Sequence, residues 1–75
     1  MTGKDTTLDL RGVKCPLNWA RARVVLEDLP AGAQLTLLLD DPRALRDIPR
    51  AAEACGYVAG LAEPEGSAWR LVITV

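Results

Sequence analysis

The stretch Thr7-Leu8-Asp9-Leu10-Arg11-Gly12-Val13-Lys14-Cys15-Pro16-Leu17 decides how this chain is read. Thr7 to Leu10 alternates polar and apolar residues, the two-residue period of a short strand with one face on a core. Gly12 ends that strand. Cys15-Pro16 then opens a helix, because proline suits a first helical position, where its missing N–H would have no partner.

Working outward, the helix runs to about Leu29 and is stopped by Pro30-Ala31-Gly32. Ala22, Val25, Leu26 and Leu29 form its apolar stripe. Extended backwards, the stripe brings Trp19, Asn18 and Cys15 onto the same side, while Leu17 and Val24 project away. Gln34 to Leu39 is a leucine-rich strand, and Asp40-Asp41-Pro42 is a turn. A second helix covers roughly Leu45 to Cys55, with Leu45, Ile48, Ala52 and Cys55 on one face. Asp47 is its expected cap, with Pro49 in the first turn and Gly56 as the stop. Tyr57 to Ala62 reads as a third strand, Pro64-Glu65-Gly66-Ser67 as a turn, and Trp69 to Val75 as a fourth strand. Met1 to Thr6 reads as a frayed tail, which leaves residues 7–75 as a single domain. The expected fold is an α/β (α+β) two-layer sandwich, βαβαββ, with a four-stranded mixed sheet and two helices on one face. Leu38 and Val72 are expected on the open face of the sheet.

Composition narrows the function classes. With 75 residues, 49% of them hydrophobic, the chain can build one small core. Trp19, Tyr57 and Trp69 are its only aromatics, so that core is mainly Leu, Val, Ile and Ala. The net charge of −1 argues against a general nucleic-acid binder, which needs a basic excess to neutralise phosphates. Arg11, Lys14, Arg21 and Arg23 nevertheless gather around Cys15. They read either as a patch that steers an acidic partner or a tRNA-bound complex, or as ordinary solvated charge. Two cysteines without histidine make a mononuclear zinc site a poor fit, and Asp40-Asp41 reads as a turn and helix start rather than a metal or acid–base pair. No metal and no organic cofactor is expected. A polar Met1 to Leu8 and the lack of a membrane-length apolar run lead to a cytoplasmic expectation, with free thiols and no membrane partner.

The chemistry concentrates on Cys15. A thiol reacts as its thiolate. A helix N-terminus offers unpaired N–H groups and partial positive charge, both of which favour S⁻ over SH. Lys14 and Arg11 add cations nearby. The alternative is that Cys15 is a small core residue. Cys55, on the stripe at the end of the second helix, is expected to be buried and structural. The two crossover helices should run side by side, which places the two sulfurs about 15–20 Å apart by helix rise, beyond disulfide reach. Trp19 reads either as a wall of the cysteine site, contacting a partner, or as a core aromatic.

Leu8-Asp9-Leu10-Arg11-Gly12-Val13-Lys14-Cys15-Pro16-Leu17 resembles the N-terminal signature of the TusA/SirA-like sulfur-carrier family. Asp40-Asp41-Pro42, then Arg46-Asp47-Ile48-Pro49 and Gly56, resemble its second signature. The resemblance covers about residues 7–75. It implies a sheet order 1-2-4-3 with the fourth strand antiparallel to the rest. It also implies that Cys15 carries a persulfide, supported by the motif residues Arg11, Gly12, Lys14, Pro16 and Asn18, with Arg21 and Trp19 toward partners. The partners it implies are sulfur-donor proteins (a cysteine desulfurase or rhodanese-like protein) and sulfur-acceptor proteins. The relayed sulfur would serve tRNA thiolation, molybdenum-cofactor assembly or sulfur oxidation, with any tRNA contact indirect. Such a chain is a sulfurtransferase or sulfur-carrier protein.

One departure stands out. The family pattern is Cys-Pro-x-Pro, and here the second proline is Asn18. With Cys15 as a cap, a proline at the third helical position withholds an N–H donor that Asn18 would restore, lowering the thiol pKa and, with it, some nucleophilicity. Two other classes remain open at the level of sequence. One is a non-catalytic RNA-binding module, whose affinity would survive loss of Cys15. The other is a thiol redox regulator in which oxidation of Cys15 alters a protein contact.

Overall fold

The computed structural model describes residues 5–14 and 16–75. Five strands and two helices follow in the order β1 (Asp5–Asp9), α1 (Leu17–Asp28), β2 (Gln34–Leu39), α2 (Ala44–Ala54), β3 (Val58–Ala59), β4 (Glu63–Glu65) and β5 (Ala68–Thr74). The sheet order is β1-β2-β5-β3, with β4 also paired to β5. β1 and β2 are parallel, whereas β5 runs antiparallel to β2, β3 and β4. This is the expected mixed sandwich, with one strand more than the sequence reading held.

Period-two alternation builds the sheet and selects its inner face. In β2, Leu35, Leu37 and Leu39 are fully buried while Thr36 and Leu38 are half-buried. In β5, Leu71 and Ile73 are buried opposite Leu37 and Leu35. Ala22 and Leu26 of α1 and Ala44, Ile48 and Ala52 of α2 join these residues in one core, so both helices lie on the same side. Leu38 and Val72 fall on the other face, as alternation requires. The exposed Leu17 and Val24 lie opposite the buried Asn18, Ala22 and Leu26 of α1.

Several boundaries differ from the expectation, each for a physical reason. β1 begins at Asp5, because Asp5 and Thr6 pair with Gln34 and Leu35 instead of fraying. The expected third strand is interrupted. Ala59 pairs with Ile73 and Glu63 with Arg70, so residues 60–62 oppose only residues 71–72, a β-bulge with one extra residue. Gly60 suits it: its N–H donates to the Val72 carbonyl at 2.9 Å, and a Cβ there would sit 3.4 Å from that oxygen. The expected turn at Pro64-Glu65 is strand β4, and the turn proper is Gly66-Ser67. Pro64 is tolerated because β4 pairs on one side only. Arg70 holds β4 by reaching Glu63 at 2.8 Å and Glu65 at 3.5 Å.

Helix α2 starts earlier than expected, and Asp47 lies in its first turn rather than capping it. The starting turn is organised by Asp41 instead, whose Oδ1 accepts the Arg43 N–H at 3.0 Å. Pro49 therefore lies inside the helix. The other end is a Schellman motif: Tyr57 N–H donates to Ala52 O at 2.9 Å and Gly56 N–H to Glu53 O at 3.0 Å, with Gly56 at φ +90°. Cys55 is the C-cap of that motif, not a core residue, and its thiol is free and exposed. Its heptad-like spacing from Ile48 was sound, but the last turn ends before the residue can be covered.

Candidate functional site at the entrance to helix α1

Cys15 lies outside the described residues, and so do the expectations of its burial and distance from Cys55; its expected cap role is not met, because the N-cap of α1 is Pro16. The chain on both sides of it is described, and those flanks make the site. Strand β1 delivers the chain to Leu10, which is buried and donates its N–H to Leu38 O at 2.9 Å. A tight turn follows, closed by Val13 N–H to Leu10 O at 3.1 Å. Gly12 within it adopts φ +82°, a left-handed conformation that costs glycine little and other residues more. A Cβ at Gly12 would meet nothing within 4 Å, so the backbone alone sets the requirement.

Charge at this turn is distributed differently from the sequence expectation. Arg11 is tied to Asp9: its Nη2 donates to Asp9 Oδ2 at 2.7 Å, its Nε to Oδ1 at 2.9 Å and its backbone N–H to Oδ1 at 3.0 Å. The Arg11 side-chain hydrogen bond, helped by the backbone one, holds the Asp9 carboxyl down at about 2 from its ordinary 3.8. In return the Asp9 carboxylate pushes the Arg11 pKa up. The cation of Arg11 is thus largely balanced locally, whereas Lys14 is exposed with no ion pair among the described residues. Arg21 is likewise exposed on α1, and Trp19 is half-buried against the core. Arg23 pairs with Glu27 at 3.2 Å.

Gly12 is also held from across the fold. Its N–H points between the two carboxylate oxygens of Asp40, 3.0 Å from Oδ1 and 3.1 Å from Oδ2. The two loops that leave the C-terminal ends of the parallel strands β1 and β2 are therefore joined. Between them lies an open depression of about 620 Å³, lined by Gly12, Lys14, Asp40, Asp41, Pro42 and Arg43. Crevices at the C-terminal ends of parallel strands are where α/β folds place their sites.

On the helical side, Pro16 is the N-cap rather than the first helical residue, and its carbonyl accepts Ala20 N–H at 3.1 Å. Asn18 is fully buried. Its backbone N–H donates to Lys14 O at 3.1 Å, so the amide expected to be a spare donor for the thiolate is already engaged by a carbonyl. Its side chain is engaged as well: Oδ1 accepts Trp19 N–H at 2.7 Å, and Nδ2 lies 3.5 Å from Val13 O. Asn18 thus joins the turn before Cys15 to the helix after it. No acidic residue occupies the first turn of α1, which leaves the positive end of its dipole uncancelled there.

The bond from Asp40 to Gly12 carries no signal in the sequence, where Asp40-Asp41 reads as a turn and helix start and as part of the second signature. Arg11, Gly12, Lys14, Pro16 and Asn18 come together around the loop, while Arg21 and Trp19 lie further along α1. No helix among the described residues is long and apolar enough to cross a membrane.

A mixed sheet with two helices packed on one face defines a small α+β two-layer sandwich domain. The chain is a member of the TusA family: the family model described as "Sulfurtransferase TusA" matches residues 6–75. A protein of Archaeoglobus fulgidus named "Putative sulfur carrier protein" is 33% identical over 67 residues, covering 88% of this chain and 76% of that protein. A Methanocaldococcus jannaschii protein of the same description is 39% identical over 66 residues, covering 88% of each chain. The crystal structure of a SirA-like protein from Desulfitobacterium hafniense matches with a TM-score of 0.83 at 28% identity, covering 93% of this chain and 96% of that one.

Proposed function

We propose that this protein is a sulfur carrier that relays persulfide sulfur through Cys15 from a donor protein to an acceptor protein. The observation that carries the reading is the family match over residues 6–75, which takes in the whole Lys14-Cys15-Pro16 motif. The flanking geometry supports it. An exposed lysine precedes the cysteine, a helix with no acid in its first turn follows it, and the turn that leads into the lysine is held by hydrogen bonds at Gly12 and Val13.

The relay balances without an oxidant or metal. The Cys15 thiolate attacks the outer sulfur of a donor persulfide, R–S–SH; a new S–S bond forms on Cys15, the donor S–S bond breaks, and R–S⁻ leaves. An acceptor thiolate then attacks the outer sulfur of Cys15–S–SH, takes it as its own persulfide and returns Cys15 as thiolate. No proton needs a dedicated base, since both leaving groups are thiolates. Lys14 and the amide dipoles of α1 favour the ionised sulfur, and Arg21 lies where an arriving protein would meet it. The acceptor serves a thiolation or sulfur-metabolism pathway such as tRNA thiolation or molybdenum-cofactor assembly, and the relay operates in the cytoplasm.

The test is transfer of labelled sulfur from a cysteine desulfurase supplied with cysteine and pyridoxal phosphate. Wild type and Cys55→Ser are expected to take up label, and Cys15→Ser to take up none. Equal labelling of Cys15→Ser, or an unlabelled wild type, defeats the reading.

A further inference from the structure

The second signature block, Asp40-Asp41-Pro42, has no part in the sulfur chemistry as written. Asp41 organises the start of α2. Asp40 instead reaches back 28 positions and accepts the Gly12 amide between both carboxylate oxygens. We infer that Asp40 is a positioning residue for sulfur transfer: its carboxylate clamps the β1–α1 loop through the Gly12 N–H and so fixes the segment that presents Cys15, an inference that rests on the carrier reading above.

Three observations converge on it. Gly12 lies three positions before Cys15, so an anchored amide at Gly12 sets where the short segment Val13-Lys14 begins. Gly12 itself stands in the left-handed region at φ +82°, so the chain changes direction directly after the anchored amide. The downstream end of the same segment is fixed by Asn18, buried and bonded to Lys14 O and Trp19 N–H. A hydrogen bond to an ionised acceptor is stronger than one between neutral groups, which suits a clamp made by an exposed side chain. Lys14 and Arg43 line the same depression as Asp40. The clamp also explains why the two signature blocks belong together, since one holds the loop that the other contains.

The experiment compares wild type, Asp40→Asn and Asp40→Ala. Asparagine keeps an acceptor oxygen and loses the charge; alanine loses both. Three readouts are taken: hydrogen exchange of the Gly12 amide, the ratio of Cys15 to Cys55 alkylation by peptide mass mapping, and the rate of sulfur loading from the desulfurase. Cys55, exposed and remote from the loop in sequence, serves as the internal reference. In Asp40→Ala, Gly12 exchange is expected to rise, and the Cys15:Cys55 ratio and loading rate to change by about 3- to 10-fold, the scale of one ordinary hydrogen bond at an exposed site. Asp40→Asn is expected to restore most of each. Asp40→Ser, which withdraws the acceptor by one atom, replaces the alanine variant if circular dichroism shows that alanine prevents folding. Exchange and alkylation left unchanged in the alanine or serine variant overturn the inference, as does an asparagine variant as impaired as alanine. Failure of wild type to load sulfur strikes the carrier reading alone, because exchange and alkylation still decide the clamp.

Discussion

The amide of Asn18 donates to the carbonyl oxygen of Lys14 at 3.1 Å, closing a first helical turn that spans the motif cysteine in sequence. The family pattern has proline at this position, and proline cannot make that bond. Asn18→Pro is therefore expected to lose both this bond and the side-chain bond to Trp19 N–H, costing about 1–2 kcal/mol in urea unfolding. Because the amide is engaged by Lys14, the thiol titration is expected to be the same in wild type and Asn18→Pro, read by thiolate absorbance in a Cys55→Ser background. A higher midpoint in the proline variant would mean that the amide serves the sulfur after all.

The Asp9–Arg11 pair makes a prediction about pH. The Asp9 pKa is about 2 in the folded chain against an ordinary 3.8, so the pair's contribution to stability is present above 3.8 and is lost as pH falls through 2. Both side chains are exposed, so the contribution is small. Carboxyl-carbon NMR of Asp9 is expected to titrate near 2 in wild type and close to 3.8 in Arg11→Ala. A wild-type midpoint near 3.8 would show that the pair does not persist in solution.

Gly56 closes α2 at φ +90°. Alanine at that position must take the same left-handed conformation, so Gly56→Ala is expected to destabilise by about 1–2 kcal/mol. The urea midpoint should fall with an unchanged slope. An unchanged midpoint would mean that the helix ends in another way.

Cys55 is exposed, so native protein is expected to react there with a thiol reagent, and Cys55→Ser is expected to change stability by less than about 0.5 kcal/mol. Protection of Cys55 until unfolding would return it to the core.

Much of this architecture is legible in the sequence because its elements obey one period each. The alternation in Gln34–Leu39 and the i, i+4 spacing of Asn18, Ala22 and Leu26 place the sheet and α1 correctly. What escapes is set by polar contacts and element ends that leave no periodic trace in the sequence. Glu63-Pro64-Glu65 carries no apolar pattern and is a strand through its antiparallel pairing with β5, where Arg70 also reaches both glutamates. Asp41 organises the start of α2 by accepting the Arg43 N–H, in line with the turn and helix-start reading of Asp40-Asp41, whereas Asp47 lies in the first turn and is not the cap. Cys55 has the right periodicity and the wrong height, one residue past the last covered turn. At the site, the cysteine motif is readable, but the Asp40–Gly12 bond joins two turns whose proximity only the parallel pairing of β1 and β2 creates.

The most direct measurement of the central claim is site-resolved mass mapping of the protein isolated from its own cells, alkylated without reduction. The account predicts a Cys15 peptide heavier by one sulfur atom, the extra mass released by dithiothreitol, with Cys55 unmodified. A Cys15 peptide that never carries that sulfur, or one found equally on Cys55, would contradict it.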